Sequence, residues 1–507
     1  MLRRQLRAVP LALITLGCWI TPSVFASGGS SDIVRPGRPQ KLTPNRLAVE
    51  LQSQLDSLRQ KLKARSRTTS LNQAIEQSLL NNPILADSYT QIQQRQWSLI
   101  AVRRQWYPQL QASPAGLNVF GYRGNTTNYI NNNVQGFKQT TEFNNFTEAG
   151  PASQLSWTFF DPSRGPSINS ASETLRAQQL LFDVSARDLV LETQLGYFTL
   201  QEQQMLIGYY EQILNSTTRQ VRRAEELYNA GAVAISDVEQ IRTQQLQNLS
   251  TLIDTYRQLV DASARLAQSM ALPTGVLALP QDDLTLVGQW NLEEAETLKE
   301  AERFREEILA SLAQASSAAW TATSLFNRYW PRFSTLASGS YLGTNRADGN
   351  PGSEITQNQQ TAQWNGAVGI GFSWLLFDGG INAAQAEANL YLEKQFKEQA
   401  AVIRLRVARE VERSYSNYKA SQLALASTKQ QLQSAELAAT AVRERFAIGF
   451  SDMTSVVQTY NQSILAASSY ARSIREYNSA IAGLYRYSAR WPEGALPLVN
   501  QRRKVLR

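Results

Sequence analysis

Residues 364–380 read WNGAVGIGFSWLLFDGG, and the alternation inside this stretch decides what kind of protein the chain is. Trp364, Val368, Ile370, Phe372 and Trp374 share one parity; Asn365, Ala367, Gly369, Gly371 and Ser373 share the other. Successive residues of a strand point to opposite sides, so the segment has one apolar face and one small or polar face. Its glycines resemble a phosphate-binding loop, but such a loop opens a helix at a tight turn and does not alternate. A strand of this kind serves either half of a sheet sandwich or one stave of a transmembrane barrel.

The same stretch belongs to a long internal repeat. The first copy contains WYPQLQAS at 106–113, LSWTFFDPSRGP at 155–166 and ELYNAGAVAISDV at 226–238. The second contains YWPRFSTL at 329–336, FSWLLFDGG at 372–380 and RERFAIGFSDM at 443–453. Pro108 maps to Pro331, Trp157 to Trp374, Asp161 to Asp378 and Gly231 to Gly449, at offsets of 223, 217, 217 and 218. Shared helical composition does not reproduce a W-x-x-F-D order twice. Each copy reads helix, strand, polar loop, strand, very long helix, tight turn, shorter helix. Strands are expected at roughly 109–122 and 153–160, then at 332–342 and 364–377. The intervening segments 123–150 and 343–363 are rich in Asn, Gln, Thr and Gly and are expected to be solvent-exposed loops.

From about Gly165 to Asn229, and from about Gly380 to Ala447, helical periodicity runs without proline past the first residues. At ~1.5 Å per residue each helix reaches on the order of 100 Å, which no compact globule accommodates. Val411, Tyr418, Leu425, Leu432, Ala439 and Phe446 form a seven-residue ladder, and Ser414, Ser421, Thr428, Ala435 and Val442 form a narrower column three residues on. Large against small at coiled-coil spacing lets neighbouring helices approach closely. Gly231 and Gly449 are expected to end these helices, with Ser236-Asp237 and Ser451-Asp452 as candidate caps of the return helices.

Four strands close neither a sandwich nor a barrel; closure takes roughly eight or more. An open sheet edge in lipid leaves backbone groups unpaired, so several chains must contribute staves to one barrel. Composition narrows the function. The 507-residue chain has no histidine and a single cysteine, Cys18, which excludes imidazole- and thiolate-based catalysis and metal binding in the mature body. No carboxylate pair stands out either, so an enzyme is not expected and no cofactor is called for. The net charge of +8 lies in the ends, and residues 71–488 are mildly acidic, which argues against nucleic acid as a partner. Beyond residue 26 no apolar run of about 18 residues occurs.

The start, MLRRQLRAVPLALITLGCWITPSVFAS, reads as a signal peptide over 1–26, with Arg3, Arg4 and Arg7 ahead of an apolar stretch and Val24-Phe25-Ala26 at the cleavage site. Acylation of Cys18 after Leu16-Gly17 stays open as the alternative, although Thr15 and the continuing run through Trp19-Ile20 count against it. Residues 27–70 form a Pro/Arg-rich extension in which Leu47, Leu51, Leu55, Leu58 and Leu62 mark a short amphipathic helix. The remaining units are a first repeat at 71–271, a linker at 272–292, a second repeat at 293–488 and a basic tail at 489–507.

Asn81-Asn82-Pro83, the Pro before each first strand, the paired W-x-x-F-D motifs and the duplicated helix-turn-helix tips together resemble the TolC-type outer-membrane efflux family, over about 71–488. The resemblance implies a mixed fold, all-α plus transmembrane β-barrel. Three copies would build a twelve-stranded barrel, four strands per chain, continuing into a periplasmic α-helical barrel. It also implies a homotrimer in the outer membrane of a Gram-negative-type bacterium, the exit duct of an efflux or type I secretion system. Its partners would be a periplasmic adaptor, an inner-membrane transporter and outer-membrane lipid. Leu155, Trp157, Phe159, Val368, Ile370, Phe372 and Trp374 would face lipid. The competing reading is a non-conducting surface coiled coil, which has no use for a lipid-facing alternation.

The family's periplasmic gate carries over only in part. Asp237, six residues after Gly231, matches the acidic member of one latch. Its tyrosine partner is Phe446 here, a latch arginine is Ser451, and the acids of the constricting ring are Ser455 and Gln458, leaving Asp452 as the nearest carboxylate. Helix capping is the competing role for Asp237 and Asp452. The entrance is therefore expected to close through another set of contacts, or less tightly.

Overall fold

A computed structural model describes residues 46–113, 120–132, 136–349 and 355–505. The signal segment 1–26, Cys18 and the start of the extension lie outside these residues. The described chain opens with α1 (Arg46–Arg65) and the short strand β1 (Ser66–Thr69). The first repeat follows as α2 (Leu71–Asn81), α3 (Pro83–Arg104), β2 (Gln109–Ser113), β3 (Phe120–Asn132), β4 (Gly136–Ala149), β5 (Ala152–Phe160), α4 (Arg164–Asn229) and α5 (Ile235–Ser269). After β6 (Leu277–Pro280) the second repeat runs α6 (Glu294–Phe304), α7 (Glu306–Phe326), β7 (Arg332–Gly349), β8 (Ile355–Ser373), α8 (Ile381–Ala447) and α9 (Met453–Tyr487). A last helix, α10 (Ala495–Val505), closes the described chain.

The long helices α4 and α8 have 66 and 67 residues, so each spans about 100 Å. Along its outer half α4 packs on α3 and α7, and α8 packs on α7; along the other half α4 packs on α5 and α9, and α8 on α9. The ladder read from the sequence is the packed face of α8. Val411, Tyr418 and Phe446 are buried, Leu425, Leu432 and Ala439 are half-buried, and the narrow column from Ser414 to Val442 shares that face. The seam between α4 and α7 is instead hydroxyl-lined: Ser167 meets Ser324 at 2.7 Å, and Ser170 meets Thr321 at 2.8 Å. Small side chains at both positions bring the helices close and satisfy one another.

The strands are longer than the sequence suggested. Segments 123–150 and 343–363, expected as loops, are mostly β-structure, because Thr, Asn and Gln in cross-strand register extend a ladder as readily as they form a turn. β4 and β5 pair with β7 in one unbroken register, from Phe143↔Gly349 through Ala149↔Gly343 to Ala152↔Ser340 and Thr158↔Ser334. They act as a single stave interrupted only by Gly150-Pro151, where Tyr341 N donates to Pro151 O at 2.9 Å. Glycine is required at 150, since a Cβ there would lie 1.7 Å from Tyr341 O. β2 pairs with β5 and β3 with β4, so the chain presents four staves in the order β2/β3, β4/β5, β7, β8. The expected end of the last stave is also corrected: β8 stops at Ser373, and residues 374–377 lie beyond it.

Among the described residues, both the extension and the tail pack onto the helical body. β1 pairs in parallel with β6 of the linker, Ser66↔Leu277 to Thr69↔Pro280. Leu55 of α1 is buried in the main helical core and Leu51 packs against it, whereas Leu58 is exposed. The basic tail docks too: Ala495 and Val499 of α10 are buried with Leu79, Leu85 and Phe182, and Arg503 pairs with Asp183. Asn82 explains the Asn-Asn-Pro signal. Its side chain accepts from Ile84 N at 2.8 Å and caps α3, whose first residue is Pro83, while its amide donates to Ser269 O at 2.8 Å.

Candidate functional site: a membrane wall, its hinge to the helices, and the far tip

The W-x-x-F-D motif is the joint between sheet and helices, and its indole bonds the same way in both repeats. Trp157 Nε1 donates to Trp106 O at 2.9 Å, and Trp374 Nε1 donates to Tyr329 O at 2.9 Å. Each indole thus ties a strand's end to the C-terminus of the helix that entered the sheet. The aspartate then starts the outgoing long helix. Asp161 Oδ1 accepts from Ser163 N at 2.9 Å and Ser163 Oγ at 2.7 Å. Asp378 accepts from Gly380 N at 2.9 Å, Asn382 N at 2.9 Å and the Tyr329 hydroxyl at 2.8 Å. The Asn382 N–H, outweighing burial, leads these donors in holding the Asp378 carboxyl below the usual carboxylate range.

The apolar parity of the opening stretch lines up across the sheet. Phe372 pairs with Phe333, Ile370 with Thr335, Val368 with Ala337 and Trp364 with Tyr341. On the next stave Leu155 pairs with Ala337 and Trp157 with Thr335. Val368 and Ile370 are 82% and 77% exposed, an apolar display that water does not tolerate over so wide a patch. Trp157, Phe159 and Phe372 are exposed on the same side, Leu155 is half-buried, and Trp374 sits just past the strand as part of the joint. Aromatic residues bracket the band: the Tyr341–Trp364 pair, with ring centroids 4.8 Å apart, stands at one rim, and Trp157 with Phe159, 5.9 Å apart, stands near the other. From Trp364 to Ser373 the strand rises on the order of 30 Å, which at barrel tilt covers an apolar layer ~25 Å tall. Among the described residues no helix is long and apolar enough to cross a membrane.

At the opposite end both long helices stop through the same motif. Gly231 (φ +74°) and Gly449 (φ +81°) take left-handed backbone. Ala232 N donates to Leu227 O at 2.9 Å and Gly231 N to Tyr228 O at 2.9 Å; Phe450 N to Arg445 O at 2.9 Å and Gly449 N to Phe446 O at 3.1 Å repeat the pattern. The return helices differ from expectation in one respect. Asp452 caps α9, accepting from Ser455 N at 2.7 Å, and hydrogen bonds from Ser455 hold its carboxyl below the usual range. The cap of α5 is Ala234, not Ser236; Asp237 lies in the first turn and accepts from Ala234 N at 3.2 Å. Ser236 is exposed because an extended Ala234 already starts the helix one residue earlier.

Phe446 is buried in the tip core with Val221, Ile241, Met453 and Val456. Gln458 is exposed, and Ser451 and Ser455 are half-buried. The two hairpins are tied by residues the sequence did not single out. Arg223 Nη2 donates to Ala447 O at 3.2 Å, Gln240 Nε2 to Thr454 Oγ1 at 3.3 Å and Gln244 Nε2 to Asn461 Oδ1 at 3.0 Å; Ser216 Oγ and the Tyr460 hydroxyl are 2.8 Å apart. Polar residues on otherwise apolar helix faces were the available signal for Gln244 and Ser216; nothing marked Arg223.

The outer membrane efflux protein family model matches residues 74–272 and 297–490, one segment per repeat. The chain belongs to the outer membrane efflux protein family. This efflux channel is 23% identical to the outer membrane protein TolC of Escherichia coli over 389 residues, 76% of this chain and 75% of TolC. Its fold is that of the outer-membrane channel OprN (TM-score 0.63, 19% identity, 84% of this chain and 93% of OprN). The Campylobacter jejuni CmeC outer membrane channel is equally similar in fold (TM-score 0.63, 14% identity, 86% and 89%). The chain is an outer-membrane channel of the efflux class, and the alternative of a non-conducting surface coiled coil falls away.

Proposed function

We propose that three copies of this chain assemble into one duct, with twelve staves closing a barrel in the outer membrane and the helices continuing it as a periplasmic tube. The observation that carries this reading is the four-stave sheet with both edges open. Among the described residues, β8 pairs only with β7 and β2 only with β5. An unpaired edge is excluded from hydrocarbon, so each edge must meet another copy. The exposed apolar residues of α8, Leu405, Leu423 and Leu437, support the same contact lower down. The tip, which exposes Ile448 and Phe450, suits docking of a periplasmic adaptor and an inner-membrane transporter that supplies the energy.

In this reading the tip residues Gly231, Ser236, Asp237, Phe446, Gly449, Ser451, Asp452, Ser455 and Gln458 shape the entrance, but closure rests on the Arg223–Ala447 and Gln240–Thr454 ties between hairpins. Planar-bilayer recording of the purified channel tests this. Arg223→Ala combined with Gln240→Ala raises unit conductance if these ties hold the entrance closed; unchanged conductance contradicts the assignment. A native channel that is tightly shut and cation-blocked, as an acidic ring would make it, contradicts it equally.

A further inference from the structure

Where α4 passes the end of α9, the packing leaves one small cavity. Arg187 and Gln194 of α4, Tyr485 and Arg486 of α9, and Arg490 and Trp491 just beyond α9 form its polar and aromatic wall, and apolar side chains complete it. The centre of a water-sized particle has about 10 Å³ to occupy there, which is room for one small particle and no more. The site lies inside a single chain, so it stands apart from the assembly proposed above.

Its wall is rich in donors that find no acceptor. Arg187, Gln194 and Arg486 are 5%, 7% and 6% exposed. Arg486 donates from Nε to Asp188 and from Nη2 to Glu307, and its Nη1 is buried with no partner. Arg187 donates from Nε to Glu306 at 2.9 Å and from Nη1 to the Arg490 carbonyl at 2.8 Å. Among the described residues its Nη2 has no acceptor, and the Gln194 amide makes no hydrogen bond at all. A charged donor buried without an acceptor is costlier than a neutral one. Three such side chains around one void call for an occupant that accepts from all of them.

We propose that this cavity binds a single monatomic anion, chloride under ordinary conditions. No carboxylate lines it: Glu306, Asp188, Glu307 and Glu300 pair with these guanidiniums from outside its wall. A water would have to place its own two hydrogens, with at most the Gln194 amide oxygen and the Tyr485 hydroxyl to take them. A halide only accepts, and charged donors bind it strongly. A phosphate or carboxylate has more atoms than the space admits. Burial, only partly offset by Glu306 and reinforced by Arg486, pulls the Arg187 guanidinium below the ordinary arginine range, as befits a cation short of compensation. The bound anion bridges α4 to the end of α9 and to the segment that follows it.

The test uses crystals of the full-length channel grown with bromide in place of chloride and measured at the bromine absorption edge. The native channel shows an anomalous peak in the cavity, within hydrogen-bonding reach of Arg486 Nη1 and the Gln194 amide. In solution, with ionic strength fixed by gluconate, each tenfold rise in chloride above the site's dissociation constant raises the folding equilibrium about tenfold per chain, read by urea titration. Gln194→Glu puts a carboxylate into the void, so it is expected to assemble, to exclude bromide and to lose the chloride dependence. Should it fail to assemble, Gln194→Leu removes the amide donors and is expected to lose the peak and the dependence alike. Water density without an anomalous signal, an empty cavity, or a chloride dependence equal in native and variant channels overturns the proposal.

Discussion

Arg486→Met is the most informative single change in the helical part. Arg486 is 6% exposed. Its Nε donates to Asp188 at 2.6 Å and its Nη2 to Glu307 at 2.6 Å. Glu307 also accepts two bonds of 2.9 Å from Arg305, which reaches Glu410 at 3.1 Å. The cluster joins α4, α7, α8 and α9 at the level where α9 ends and α7 takes its place beside α8. Burial alone would raise the Glu307 carboxyl, but Arg305 and Arg486 outweigh it and hold it at about 2, against an ordinary 4.5. A depressed carboxylate stabilises the fold fully above its unfolded pKa, so this contribution is present above about pH 4.5 and is lost as pH falls through about 2. At ~1.4 kcal/mol per unit the shift is worth about 3 kcal/mol. Methionine keeps the stem's packing and removes one cation, leaving Glu307 and Asp188 with fewer partners, so Arg486→Met is expected to cost ~3 kcal/mol. Urea titration of the detergent-solubilised channel, followed by circular dichroism at neutral pH, measures it. Glu307→Gln is expected to cost less in the Arg486→Met background than alone, with a coupling of ~1–2 kcal/mol. The gap between native and variant narrows as pH falls below about 4.5. A variant within ~0.5 kcal/mol of native, or strictly additive changes, refutes the reasoning.

Gly150→Ala blocks the seamless stave, since its Cβ meets Tyr341 O; loss of heat-resistant oligomer on a denaturing gel checks it. Gly231→Ala and Gly449→Ala each force a side chain into left-handed backbone with no neighbour within 4 Å, so each costs ~1–2 kcal/mol from the backbone alone, read as a lower urea midpoint. Asp378→Ala removes the acceptor shared by Gly380, Asn382 and Tyr329 and weakens the joint above α8. Because that carboxyl is depressed, the native joint itself weakens as pH falls through the acid range below about 4, and the variant's oligomer loses this pH dependence.

The sequence made the architecture legible where a periodicity repeats. The seven-residue ladder of α8 became its packed face, the W-x-x-F-D pair became two copies of one joint, and the two tip glycines became two copies of one helix stop. The distal strands, over 123–150 and 343–363, were illegible because their polar sequence lacks the apolar alternation that marks a strand. Ser236 was misplaced because a helix cap depends on one residue's backbone angle, and Ala234 supplies it without a characteristic side chain. The ties at the tip were invisible for another reason: Arg223 and Ala447 are 224 positions apart, and only the folding of both hairpins brings them together. The docking of the tail and extension was not legible because their partners, Phe182 and the linker strand β6, lie far off in the chain.

The central claim is that this open-edged sheet is completed by copies of itself, and native mass spectrometry of the detergent-extracted channel tests it most directly. The predicted result is a particle of three mature chains that conducts when reconstituted. A monomer, or an assembly of a size that does not give twelve staves, contradicts the account.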